Sequence, residues 1–127
     1  MIVLDASAAL SALLTAGAAR SAIAEEQLHA PHLIDSEVAN GLRRRVAIGV
    51  VGKEEGRVIV STWQALGIIR YPAVAMLGRI WELRENLSAY DATYVALAEA
   101  LDCPLVTADK RLSRAAGIGC SVTTVPS

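Results

Sequence analysis

The sequence predicts an α/β fold with a mainly parallel sheet and helices on both faces. Three observations carry this. Short apolar runs of strand length, Ile2-Val3-Leu4 and Leu105-Val106-Thr107, alternate with longer stretches of helical period. Hydrophobic residues reach 54% while aromatics are only 4%, with no Phe, so Ala, Val, Leu and Ile must fill the core, as close-packed helices on a sheet require. No linker, repeat or low-complexity segment divides the 127 residues, so one domain spanning 1–127 is expected.

The elements follow in order. Ile2-Val3-Leu4 is a strand ending at Asp5, and from Ala6 onward Ala8, Ala9, Ala12 and Leu13 mark a helix that stops before Gly17. Ala18 to Leu28 reads as a second, Ala-rich helix, with Pro31 as a break. Ile34 to Ile48 is an amphipathic helix closed by Gly49 and Gly52. Lys53 to Leu66 reads as helix, although Val58-Ile59-Val60-Ser61-Thr62 has strand propensity. Ile68 to Tyr71 is extended, Val74 to Arg84 helical, and Ser88 to Leu101 the clearest helix of all. After the Leu105–Thr107 strand, a helix is expected over Lys110 to Ala116, ended by Gly117 and Gly119, and the β-branched Ser121 to Val125 closes the sheet.

Charge and composition exclude several classes. Twelve Lys and Arg against thirteen Asp and Glu leave a formal net of −1, so there is no global basic field for coating DNA phosphates. A mean hydropathy of +0.41 excludes a disordered chain, yet no apolar run approaches the roughly 18 residues that cross a bilayer. Met1 leads straight into Ile-Val-Leu-Asp with no basic and apolar leader, so a cytoplasmic location is expected. Cys103 and Cys120 have no metal-ligand spacing and read as reduced, buried thiols. No Ser/His/Asp triad or Walker loop is legible.

The chemistry gathers on acids. In parallel sheets ligands bind outside the carboxyl ends of the strands, where Asp5 ends the first strand and Asp109 lies two residues beyond Thr107. Projected at about 100° per residue, Glu37 falls on the flank of the apolar arc of its helix, with Asn40 and Arg44 on the same side. Asp91 projects between Ala98 and Val95 on an arc without Lys or Arg, an expensive place for a carboxylate unless it is paired or bound to metal. Four acids at one end of a sheet repel one another, and oxygen-only donors favour Mg²⁺ or Mn²⁺ over Zn²⁺. Ser7 and Thr107 supply hydroxyls able to orient carboxylates or water.

Each acid also has a local explanation. Asp5 and Asp109 can cap helices, Ser88-x-x-Asp91 matches a capping box, and Glu37 can pair with Arg44. Within Arg43-Arg44-Arg45 the side chains fan over about 200°, leaving Arg44 as the one candidate for a phosphate contact, Arg43 as solvated and Arg45 as snorkelling from the apolar arc. His29 and His32 read as loop residues around Pro31, and Trp63 and Trp81 as core.

Taken together, Met1-Ile-Val-Leu-Asp5-Ala-Ser7, Ser36-Glu37-Val-Ala-Asn40, Tyr90-Asp91-Ala-Thr-Tyr and Leu105-Val-Thr107-Ala-Asp109-Lys-Arg-Leu resemble a PIN domain, and most nearly the VapC ribonuclease toxins of bacterial toxin–antitoxin pairs. The resemblance covers nearly the whole chain in the family's order. It implies a three-layer α/β/α fold and Mg²⁺- or Mn²⁺-dependent endoribonuclease activity on tRNA or rRNA. It also implies a homodimer and inhibition by a VapB-type antitoxin, with DNA met only through that antitoxin. Asp5, Glu37, Asp91 and Asp109 match the family's acidic quartet; Asp5, Asp91 and Asp109 would ligate metal, with Ser7 and Thr107 in support. Haloacid-dehalogenase and receiver folds fit worse: the first wants Asp-x-Asp where Asp5-Ala-Ser7 stands, and the second wants an acid where Ser61 and Thr62 follow Val58-Ile-Val60. The rival outside catalysis is an inactive PIN-like module that binds RNA or protein.

Overall fold

A computed structural model describes all residues 1–127. β1 (Ile2–Leu4) leads into α1 (Ala6–Leu14) and α2 (Ala18–Ile23), then β2 (Leu28–Pro31). α3 (Leu33–Ala47) and α4 (Lys53–Ala65) precede β3 (Ile68–Tyr71). A 3₁₀ turn over Val74–Met76, α5 (Leu77–Glu82) and α6 (Ala89–Leu101) return the chain to β4 (Leu105–Thr107), and β5 (Val122–Thr124) follows a second 3₁₀ turn at Leu112–Arg114.

The five strands are ordered β3-β2-β1-β4-β5 and every pairing is parallel. Parallel neighbours need crossovers, and these are right-handed. The β1–β2 and β2–β3 crossovers step one way across the sheet and β3–β4 steps back. Handedness therefore sets α1–α4 on one face and α5 and α6 on the other, and the packing agrees: α1 lies against α2, α3 and α4, and α5 against α6. The direction of winding reverses between β1 and β4. There the strand ends splay away from any covering connection, which makes a crevice.

The core is built from small and branched residues. Val3, Leu4, Ala30, Leu105 and Val106 are buried in the sheet. α6 contributes an unbroken buried run, Ala92 to Ala98, which spans all sides of the helix. A helix buried all round leaves its polar members in need of partners. Thr93 Oγ1 donates to the Ala89 carbonyl at 2.7 Å, and the Tyr94 hydroxyl is the other case.

Four expectations are corrected. The helix read over Ala18–Leu28 stops at Ile23, and Leu28–Pro31 is a strand between β1 and β3, so Pro31 closes a strand rather than breaking a helix. His29 is consequently buried, its Nδ1 2.6 Å from the Tyr71 hydroxyl, while His32 stays exposed. The helix over Lys110–Ala116 is only the short Leu112–Arg114 turn, because Ala115 is extended and Gly117 takes φ +83°. Trp81 is exposed with the Arg84 guanidinium 4.7 Å from its ring, whereas Trp63 is core as expected. Val58–Thr62 is helical, Cys103 is buried and Cys120 half-buried, and both thiols are free. No helix is long and apolar enough to cross a membrane.

Candidate active site

Asp5 is the residue at which β1 becomes α1. Its backbone is extended (φ −93°, ψ 170°) and its Oδ1 accepts the Ala8 amide at 2.9 Å, so it does cap the helix. The cap uses part of one oxygen only. Ser7 Oγ donates to Oδ1 at 2.7 Å, and Thr107 Oγ1 donates to Oδ2 from the end of β4. Each hydroxyl has one proton, and both go to Asp5. The 3.2 Å approach of the Ser7 and Thr107 oxygens is therefore a contact between acceptors. Backbone amides complete the frame: Ala108 N donates to Ser7 Oγ at 2.9 Å and Asp109 N to Thr107 Oγ1 at 3.0 Å. Ser7 and Thr107 thus lace β1 to β4 around one carboxylate. Burial pushes the Asp5 carboxyl above its ordinary value, these hydrogen bonds pull it back in part, and the charge of Asp91 adds to the rise.

Glu37 lies on the second turn of α3. The Tyr94 hydroxyl of α6 donates to its Oε1 at 2.6 Å, bridging the two helix layers at the carboxyl end of the sheet. Burial raises the Glu37 carboxyl, the Tyr94 hydrogen bond lowers it, and the charges of Asp91 and Asp5 raise it further. Tyr94 is itself buried and pushed far above the ordinary tyrosine range, first by burial and then by Glu37, so it stays a donor. Sequence reading places Tyr94 in the apolar arc of its helix. The signal for its role is the position three residues after Asp91 on a face where a buried hydroxyl needs an acceptor.

Asp91 is half-buried in the first turn of α6. Ser88 Oγ accepts the Asp91 amide at 3.1 Å, but the Asp91 carboxylate makes no return bond to the Ser88 amide, so the capping box is half formed and the carboxylate is left for other work. Burial raises its pKa, Asp109 raises it, and Arg111 and Ser88 lower it. Asp109 has the opposite character. Arg111 holds it well below the ordinary carboxylate range, with Nη2 at 2.7 Å from Oδ2 and the Arg111 amide at 2.9 Å from Oδ1.

Two grooves flank the buried Asp5. One, of about 630 Å³, is lined by Ser7, Glu37, Asn40, Arg44 and Arg45, placing Glu37, Asn40 and Arg44 together as the helical projection expects. Arg44 is exposed there, Arg43 pairs with Asn40 at 3.0 Å, and Arg45 turns its guanidinium back onto the Gly41 carbonyl at 3.0 Å. The other, of about 420 Å³, holds Ser88, Asp91, Asp109 and Arg111. The four acids share one field, Asp5, Glu37 and Asp91 each being raised by a neighbouring acid. In the present rotamers no three of them close a metal cage. Tyr94 draws Glu37 aside, Arg111 draws Asp109, and the hydroxyl pair holds Asp5. The donor chemistry nonetheless fits a hard divalent cation: the donors are all oxygen, and mutual repulsion of buried carboxylates is what such a cation relieves.

Comparisons with known proteins agree with this geometry. The PIN domain family matches residues 2–118. The chain is 59% identical to ribonuclease VapC9 of Mycobacterium tuberculosis over 126 residues, covering 99% of each, and 41% identical to ribonuclease VapC1 of the same organism over 128 residues, covering 97% of this chain and 96% of the relative. In solved structures the fold is shared with VapBC2 of Rickettsia felis bound to a promoter DNA fragment (TM-score 0.73, 13% identity, 98% of each chain). It is also shared with VapC20 of M. tuberculosis, described as a toxin cleaving the sarcin–ricin loop (TM-score 0.69, 18% identity, 94% and 97% covered). A parallel sheet with its acids at the reversal of winding, and near-full-length identity to ribonucleases, lead to one conclusion: the chain belongs to the PIN domain family, among the VapC ribonucleases of toxin–antitoxin modules.

Proposed function

We propose that this RNA-cleaving toxin is a Mg²⁺- or Mn²⁺-dependent endoribonuclease acting on tRNA or rRNA, formed by residues 1–127 as one domain, working in the cytoplasm as a homodimer and neutralised by a VapB-type antitoxin. The observation that supports it best is geometric: Ser7 and Thr107 hold the buried Asp5 carboxylate where β1 and β4 end, and Tyr94 holds Glu37 beside it, close enough that the charges of Asp91 and Asp5 add to the burial that raises Glu37. Asp5, Asp91 and Asp109 would hold the cation, with Ser7 and Thr107 fixing the orientation of Asp5. Bound there, a divalent cation supplies Lewis-acid polarisation of a phosphodiester and neutralises charge on the leaving oxygen. Glu37, raised in pKa and aimed by Tyr94, orients the attacking water and accepts its proton at the free Oε2. Arg44, exposed on the same groove as Glu37, contacts the backbone phosphate and sets the strand's path.

The test is cleavage of total tRNA and rRNA by antitoxin-free protein with Mg²⁺, Mn²⁺ or chelator, beside Asp5→Asn. Discrete cuts that vanish with chelator and with Asp5→Asn are expected. Cutting that survives both removes the acidic-site mechanism. One observation favours a second reading, a module that binds RNA without cleaving it: Arg111 already neutralises Asp109. On that reading RNA binds in the groove and no cation produces cuts.

A further inference from the structure

Arg111 is 85% exposed, yet it is the most heavily engaged cation at the site. Its amide donates to Asp109 Oδ1 at 2.9 Å, its Nε lies 3.1 and 3.2 Å from the two oxygens, and its Nη2 lies 2.7 Å from Oδ2. Both Asp109 oxygens are thus occupied from one side. The same positive charge lowers the pKa of Asp91, so its field covers both acids of the smaller groove. Nothing packs over the guanidinium. It sits on the water side of the pair, two residues from its acceptor, where exchange of partners costs little desolvation. A planar guanidinium also matches a phosphodiester as well as it matches a carboxylate.

We propose that Arg111 is a resident counter-cation of the acidic site, competing with a divalent ion for the Asp109 carboxylate and releasing that carboxylate when an RNA phosphate draws the guanidinium away. The inference rests on Asp109 being a metal ligand. Its consequence is thermodynamic: anything that removes Arg111 from Asp109 strengthens cation binding, and by linkage the cation strengthens RNA binding by the same factor. The site is thereby biased to load its cation where RNA is present.

The experiment is Mn²⁺ titration of the cation-free protein by calorimetry, with and without a 2′-O-methylated oligouridine as a phosphate-bearing probe. Arg111→Gln is expected to bind Mn²⁺ about threefold to tenfold more tightly than the parent, with Arg111→Lys between them, because a point charge lacks the fork. The oligouridine is expected to tighten Mn²⁺ binding in the parent and to lose that effect in Arg111→Gln. A bare field effect of the charge would persist without the carboxylate. The Arg111→Gln gain is therefore expected to collapse in an Asp109→Asn background, and a gain that persists there overturns the inference. Mn²⁺ binding by the parent that Arg111→Gln leaves unchanged or weakens overturns it as well, while the metal-site reading stands. Absence of Mn²⁺ binding in both parent and Arg111→Gln overturns the metal-site reading, and this inference with it.

Discussion

Asp5 shows how one carboxylate serves two scales at once. It caps α1 through one lone pair and leaves the rest to Ser7, Thr107 and the crevice, so the local reading and the functional reading of its position both hold. Its place after a strand was legible because Asp is rare at the end of an apolar run unless the chain turns there. Tyr94 was legible only in part: its place in the apolar arc says that the hydroxyl needs an acceptor, but no local pattern on α6 says that the acceptor is Glu37 of α3, 57 residues away. His29 was misread for a related reason, since a histidine beside proline looks like a turn until a tyrosine from β3 supplies its partner. Tyr94 carries a prediction. Tyr94→Phe keeps the ring and the fold, at a cost of about 1 kcal/mol for the lost hydrogen bond. The hydroxyl favours ionised Glu37, so its loss raises the Glu37 carboxyl further. The acid limb of the pH–rate profile should therefore move to higher pH, and an unmoved limb removes Glu37 from the proton-transfer role.

Among the elements, those with a long period or β-branched run were readable, and those built by pairing were not. α3, α4, α6, β1 and β4 follow from spacing and caps. Leu28-His29-Ala30-Pro31 contains no β-branched residue; it is a strand because β1 and β3 present partners on both sides. The chain after Asp109 makes a single 3₁₀ turn rather than a helix, since Ala115 is already extended and Gly117 takes a positive φ, a stop that comes earlier than the glycines alone announce. Elements also differ in what ties them. Arg79 on α5 donates to both oxygens of Glu99 on α6, at 2.7 and 2.9 Å, and to the Gly117 carbonyl at 2.7 Å, joining three segments. Arg57 pairs with Glu54 one turn away on the exposed face of α4. Arg79→Ala should lower urea-unfolding stability by about 1–2 kcal/mol, discounted for partial exposure, while Arg57→Ala should stay within about 0.5 kcal/mol. Equal effects would mean that the Glu99 clamp is ornamental.

At the scale of the whole molecule, the parallel sheet was legible from alternating strands and helices, but strand order was not, since short strands carry no record of their neighbours and β2, which lies between β1 and β3, was itself read as helix and break. The order decides the site, because it sets Asp5 and Asp109 on either side of the reversal in winding. It also concentrates acids whose folded pKa values are raised. Asp5, Glu37 and Asp91 bind protons more readily folded than unfolded, so their contribution is full below the ordinary values of 3.8 and 4.5 and is lost as pH rises through the raised folded range. Asp35, Glu99 and Asp109 are lowered, and their contribution is present above the ordinary values and lost only as pH falls through the depressed ones. The cation-free protein should therefore lose thermal stability as pH rises above the ordinary carboxylate values, and Mn²⁺ should raise the melting temperature more at the upper end of that rise. An equal rise at both would separate cation binding from these acids.

The bond between Asp5 and Thr107 spans 102 positions of the chain. A ribosome adding about 5–20 residues per second needs roughly 5–20 s to pass from one to the other. Through that interval the growing polypeptide has its first carboxylate but not the strand that holds it, and β1 waits without β4, its second neighbour. The nascent chain cannot assemble its acidic crevice beside the RNAs of the machine that is making it. Competence arrives only once β4 has been made, which gives a binding partner that interval in which to be made and to stand ready.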